Sequence, residues 1–199
     1  VVDTYKRQPH CLFLDRDGVI IEDVHFLAEP SQIRIIPGVP EAIARVNALG
    51  WPVVVTTNQA GVARGFFSES QVTVVHHHLE KLLGRFGARI DAWYYCPHHP
   101  VEGIGAFKLA CACRKPLPGM LISAARDLSL SLADGWMVGD KLTDLEAGAR
   151  AGCRTILVRT GYGSTEEAKL EPGCLNCAGV ADALPDAIEA ILKFSASKL

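Results

Sequence analysis

The sequence predicts an α/β protein built on a doubly wound parallel sheet. Two observations carry that expectation. Short apolar runs alternate with segments whose apolar residues keep helical spacing, and polar clusters follow several of the runs, where an open parallel sheet collects its ligands. The first run, Cys11 to Leu14, is apolar throughout and ends in Asp15, as suits a strand buried on both faces. Val39, Ala42, Ile43, Val46 and Leu49 recur at helical spacing across Pro40 to Leu49, and Gly50 supplies the stop. Trp51 to Thr57 reads as a second buried strand. Ser68 is placed to cap a helix whose stripe is Val72, Val75, Leu79 and Leu82, and Ile90 to Tyr95 reads as a third strand. Beyond a cysteine-bearing loop, Cys96 to Cys113, come a helix near Pro118 to Leu128, a strand at Trp136 to Val138, a helix near Thr143 to Ala151 and a strand at Thr155 to Val158. Gly161 to Ala178 reads as a polar connection to a last helix around Ala183 to Leu192. The stretch between Asp17 and Pro40 is too short for a lid domain. A single domain over residues 1–199, with an open site shaped by loops, is therefore expected.

Composition narrows the function. The 199 residues, 49% hydrophobic, can bury one sizeable core but are few for two. No apolar stretch reaches the roughly 20 residues of a membrane span, and Val1 to Arg7 lacks the apolar core of a signal peptide. A soluble, cytoplasmic protein with no membrane partner is expected. Twenty basic and 22 acidic residues give a net charge of −2 with no basic stripe, which argues against nucleic acid. Nothing in the sequence points to an oligomer, so a monomer is the default expectation. The seven cysteines include tight C-x-H and C-x-C spacings, which suit metal binding in a reducing compartment better than disulfides.

Four polar clusters fall at expected strand ends: Asp15-Arg16-Asp17-Gly18, Thr57-Asn58-Gln59, Arg114-Lys115, and Gly139-Asp140-Lys141 with Asp144. Phosphoryl transfer needs an in-line nucleophile, cations against the equatorial oxygens and an acid for the leaving group. Asp15 at a strand tip can attack phosphorus. Asp17 can protonate the leaving alcohol and then, as a carboxylate, activate water. Carboxylates such as Asp15 and Asp140 suit magnesium, a hard cation that takes oxygen ligands.

The segments LDRDGVI at Leu14, TTNQAGVARG at Thr56, CPHHP at Cys96, CACRKPLPGM at Cys111 and MVGDKLTD at Met137 resemble the haloacid-dehalogenase-like phosphatases, within them the heptose bisphosphate phosphatase and histidinol-phosphatase group. The resemblance runs from Cys11 to about Gly161. It implies a magnesium-dependent phosphatase with Asp15 as nucleophile, Asp17 as proton donor, and Thr57 and Lys115 stabilising the transferring phosphoryl group. Magnesium falls to Asp15, Asp17 and Asp140. Substrate contacts fall to Arg16, Asp23, Val24, His25, Phe26, Asn58, Gln59, Ala60, Arg114 and Lys141. Relatives commonly carry an aromatic hydroxyl where this chain has Phe26 and a serine where it has Ala60, both beside substrate rather than at phosphorus. The implied substrate is a small phosphorylated sugar, the 7-phosphate of a heptose 1,7-bisphosphate, with histidinol phosphate as the alternative.

Cys96, His98, Cys111 and Cys113 form the closed four-ligand set of a structural zinc, with His99 the rival to His98. The resemblance favours His98. Asp144 is expected either to cap its helix or to orient Lys141 or a metal-bound water. Cys11 and Cys153 are expected to be small buried residues, Cys174 and Cys177 an incidental loop feature ahead of a redox pair or a weak second metal site, and His76 to His78 a polar helix face.

Overall fold

A computed structural model describes residues 10–197. The opening residues read above for a signal peptide lie outside them. Six strands form one sheet: β1 (Leu12–Leu14), β2 (Val53–Asn58), β3 (Ala92–Cys96), β4 (Trp136–Gly139), β5 (Arg154–Val158) and β6 (Cys177–Ala181). They lie in the order β3-β2-β1-β4-β5-β6, and every neighbouring pair is parallel. The helices are α1 (Val39–Ala48), α2 (Ala60–Ala63), α3 (Glu69–Gly84), α4 (Gly119–Leu128), α5 (Leu142–Ala151), α6 (Gly163–Glu167) and α7 (Leu184–Ala196).

Side chains alternate across a strand, and here both faces are apolar. Leu12, Leu14, Val53, Val55, Trp136 and Val138 join the core under α1, α3 and α7. Phe13, Val54 and Met137 turn to the opposite face and meet Leu121 and Ala124 of α4 and Ala147 of α5. Burial on both sides explains why these strands read as unbroken apolar runs rather than as alternation. Each fully buried large side chain contributes about 1.5–3 kcal/mol, so Phe13, Leu12 and Met137 fix the centre of the sheet.

Ser68 caps α3 as expected: its Oγ accepts from the Gln71 N–H, while Gln71 Oε1 accepts from the Ser68 N–H. The buried stripe of α3 is Val72, Val75, Leu79 and Leu83, so Leu83 takes the place expected of Leu82. His76 is also buried, at 6% exposure, and corrects the expectation of a polar face at that position. The stretch Gly161 to Ala178, expected to be irregular, holds α6 and the start of β6. β6 forms an edge strand from Cys-Ala-Gly-Val-Ala, too poor in β-branched residues to announce itself; pairing with β5 makes it a strand.

The chain runs from β1 outward to β3, then returns to the other side of β1 as β4. The reversal opens a crevice beyond the carboxyl ends of β1 and β4. No lid domain stands among the described residues, and none of their helices is long and apolar enough to cross a membrane.

Candidate active site

Asp15 follows β1 and Asp140 follows β4, so the two carboxylates meet across the crevice, and Asp144 joins them from the first turn of α5. All three are buried, and one oxygen from each lies within 4.8 Å of the others. Lys115 is their buried counter-ion. Its Nζ sits 3.0 Å from Asp15 Oδ1 and 2.6 Å from Asp144 Oδ1, and it donates to the Thr56 carbonyl at 2.7 Å. These partners raise the ammonium above its usual range against the opposing effect of burial.

Three carboxylates against one buried ammonium leave an excess of negative charge that a divalent cation would balance. Asp140 carries the sign of it. Its Oδ2 accepts the Tyr162 N–H at 2.9 Å, but its buried Oδ1 has no hydrogen-bond partner among the described residues. Burial first, then Asp15 and Asp144, push its carboxyl up to about 8. The backbone is cut away around it: a Cβ on Gly18, at φ 81°, or on Gly161 would overlap Asp140 Oδ2. The donor set, all hard oxygen, therefore fits magnesium. Asp144 also accepts the Lys141 N–H at 3.0 Å, so it caps α5 and holds Lys115 at once.

Asp17, expected among the magnesium ligands, turns its carboxylate away from this group. Arg16 Nη2 reaches Asp17 Oδ2 at 2.9 Å and Oδ1 at 3.0 Å, and Gln59 Nε2 donates to Oδ2 at 3.1 Å. Arg16 lines the cleft but is 1% exposed, and its remaining donors go to Gln59 Oε1 and to the His76 ring. Thr57 is buried, with its Oγ1 accepting from Gln59 Nε2. Asn58 exchanges two hydrogen bonds with the Lys115 backbone, which fixes the lysine beside β2.

The cleft, about 220 Å³, is lined by Asp15, Asp17, Thr57, Lys115 and Asp144, with Asp23, His25, Phe26, Gln59, Ala60 and Lys141 toward the mouth. Lys141 Nζ stands 3.5 Å from Asp23 and 4.3 Å from the centre of the Tyr162 ring. His25 and Phe26 both take φ 50°, and Phe26 packs edge-on against Phe66 under Arg64. Two expected substrate residues sit elsewhere. Val24 packs toward the core, and Arg114 donates to the His98 carbonyl and lines a neighbouring hollow with Pro100 and Leu117. Sequence reasoning missed Tyr162, Phe67 and His76; the glycines flanking Tyr162 were the one signal for the first, and the other two look like ordinary core or surface residues.

Cys96, His98, Cys111 and Cys113 converge at the end of β3. The sulfurs lie 3.1–3.4 Å apart, and His98 Nδ1 stands 3.8 Å from Cys96 Sγ and 3.7 Å from Cys113 Sγ. Three thiols and an imidazole at these separations surround a point suited to a tetrahedral metal. His99 is committed elsewhere: its Nδ1 accepts from the backbone N–H groups of Val101 and Glu102. Of the two histidines, His98 is the one whose ring nitrogen stands beside the thiols. Cys11 and Cys153 are buried, while Cys174 and Cys177 are free thiols.

Comparison with known proteins identifies the family. The HAD-hydrolase-like family model matches residues 112–187. The D-glycero-beta-D-manno-heptose-1,7-bisphosphate 7-phosphatase of Photorhabdus laumondii is 41% identical, over 92% of this chain and 96% of its own. Its Salmonella typhi counterpart is 44% identical over 79% and 85%. Among solved structures, the D,D-heptose 1,7-bisphosphate phosphatase of B. bronchiseptica, complexed with magnesium and phosphate, superposes with a TM-score of 0.81 at 39% identity, covering 92% of this chain and 99% of that one.

Proposed function

The chain belongs to the haloacid-dehalogenase-like hydrolases, in the branch of the heptose-1,7-bisphosphate 7-phosphatases, and on that premise we propose that it hydrolyses the 7-phosphate of D-glycero-D-manno-heptose 1,7-bisphosphate through a phosphorylated Asp15. The observation that carries the reading is the buried group of Asp15, Asp140 and Asp144 around Lys115, with Asp140 Oδ1 left without a partner. Asp15 and Asp140 would hold magnesium, with Asp144 behind them, while the Asp17 carboxylate stays on Arg16 and Gln59. Magnesium, when bound, neutralises charge on the phosphoryl oxygens and orients them.

Asp15 attacks phosphorus in line, its carboxylate oxygen forming the new bond as the bond to the sugar C7 oxygen breaks. Lys115 and Thr57 meet the equatorial oxygens. Asp17 gives its proton to the departing alkoxide. It then takes a proton from the water that attacks phosphorus, which frees Asp15 and inorganic phosphate. Asp23, His25, Phe26 and Lys141 line the cleft and would meet the sugar. The Cys/His group would hold a structural zinc that anchors the loop delivering Lys115. Its thiols suit the reducing cytoplasm, where we place a monomeric enzyme.

The test is phosphate release from heptose 1,7-bisphosphate and from histidinol phosphate, with and without magnesium, in wild type and Asp15→Asn. Magnesium-dependent release from the bisphosphate, absent in the variant, is expected. Preference for histidinol phosphate by kcat/KM would keep the chemistry and move the substrate, and turnover unaffected by Asp15→Asn would overturn the reading.

A further inference from the structure

Behind Asp17 lies a buried chain of contacts that the reaction as described does not use. The guanidinium of Arg16 binds the Asp17 carboxylate through Nε at 3.3 Å and Nη2 at 2.9 Å. On its far side Nη1 lies 3.1 Å from Nε2 of His76. Arg16 and His76 are 1% and 6% exposed, so neither can exchange these partners for water. A guanidinium only donates, which makes His76 Nε2 the acceptor and leaves the ring without a proton on that atom. Burial, followed by the Arg16 charge, lowers the imidazole to about 3, in keeping with that form.

The ring itself is fixed. It stacks on Trp93 of β3 with centroids 4.5 Å apart and planes 22° apart, and the edge of Tyr95 closes it at 6.0 Å. Tyr95 is tied back to α3 by its hydroxyl on Glu69. The sequence of contacts therefore runs from a rigid helix–strand seam through His76 to Arg16 and ends on one carboxylate. Among the described residues Arg16 is the cation on Asp17, and Gln59, its second partner, is itself held by Arg16.

We propose that His76 is a positioning residue for Asp17: by accepting from Arg16 Nη1 it locks the guanidinium so that the opposite edge sets where the Asp17 carboxylate stands relative to the leaving oxygen. The inference rests on Asp17 as the acid of the proposed reaction. Arg16 is then a strut of the acid rather than a contact for the sugar. Proton transfer is sensitive to such placement, and a misplacement of about 1 Å costs up to about 100-fold.

A misplaced acid matters for an alkoxide leaving group and little for nitrophenolate, which departs without a proton. The test compares kcat/KM on heptose 1,7-bisphosphate and on p-nitrophenyl phosphate for wild type, His76→Leu, His76→Gln and Asp17→Asn. This constant covers only the steps through transfer to Asp15, so hydrolysis of the shared intermediate does not enter. The ratio of the two substrates on one preparation also cancels any unfolded fraction. His76→Leu is expected to lose about 10- to 100-fold on the bisphosphate and less than about threefold on the aryl ester. His76→Gln, whose amide oxygen can accept in place of Nε2, is expected to recover most of the loss. Equal losses on both esters, no loss, or a glutamine variant no better than leucine would overturn the proposal while Asp17→Asn still discriminates between the esters. If Asp17→Asn itself loses equally on both, the acid assignment fails and the proposal falls with it.

Discussion

Replacing Lys115 by methionine keeps most of the volume of the side chain and removes its charge together with its hydrogen bond to the Thr56 carbonyl. Nζ stands 3.0 Å from Asp15 and 2.6 Å from Asp144; at an effective dielectric of about 20, each contact is worth about 5–6 kcal/mol before desolvation. Much of that offsets the cost of burying the ammonium, and removing one partner of a buried cluster typically costs about 3–5 kcal/mol. Urea unfolding of the metal-free protein reads the loss directly. With a slope of about 2–3 kcal/mol per molar urea, the midpoint should fall by about 1–2 M. Magnesium should restore more stability to the variant than to wild type, because Asp15 and Asp144 then have no other buried cation beside them among the described residues. Phosphatase activity should fall by about 100-fold or more even with saturating magnesium. A variant whose metal-free midpoint matches wild type would refute the premise that Lys115 neutralises this site.

Two further outcomes test the metal sites. His98→Ala is expected to lose its zinc on dialysis against a mild chelator, whereas His99→Ala should retain one zinc per chain, as read by elemental analysis; the reverse pattern would reassign the fourth ligand. In the metal-free protein the Asp140 carboxyl is raised from 3.8 to about 8, so the folded state binds this proton more tightly than the unfolded one. Stability from that source is present at low pH and is lost as pH rises through the window between those values. The melting temperature in chelator should fall across it, the fall should be smaller in Asp140→Asn, and magnesium should stabilise more at pH 8 than at pH 5.

Much of the candidate site was legible because its chemistry is local. Asp15 and Asp140 each stand one residue past an apolar strand, and strand ends are fixed by the burial pattern of the residues before them. The same holds within each of the pairs Cys96–His98 and Cys111–Cys113, whose short spacings already bring donor atoms together, while the loop between them joins the pairs. Less legible were elements stabilised by their neighbours. β6 has little strand propensity of its own and exists as the partner of β5, and α6 is a single short helix stabilised by packing beside it.

The sequence by itself determined the order of the main strands and helices, the carboxylates at the strand tips and the two short-spaced pairs of zinc-type ligands, since each depends on residues only a few positions apart. Tertiary structure alone decided who partners whom. His76 lies 60 positions from Arg16, and Lys115 reaches back to Asp15 and forward to Asp144. Arg114, next to Lys115, turns instead to the His98 carbonyl, and Arg16, next to Asp15, turns inward to Asp17 and His76. Adjacent charged residues carry no sequence mark for these different directions. The direction follows from which carbonyl, carboxylate or ring the packed sheet and helices bring within about 3 Å of each buried donor, because a buried donor left without a partner costs about 1–3 kcal/mol.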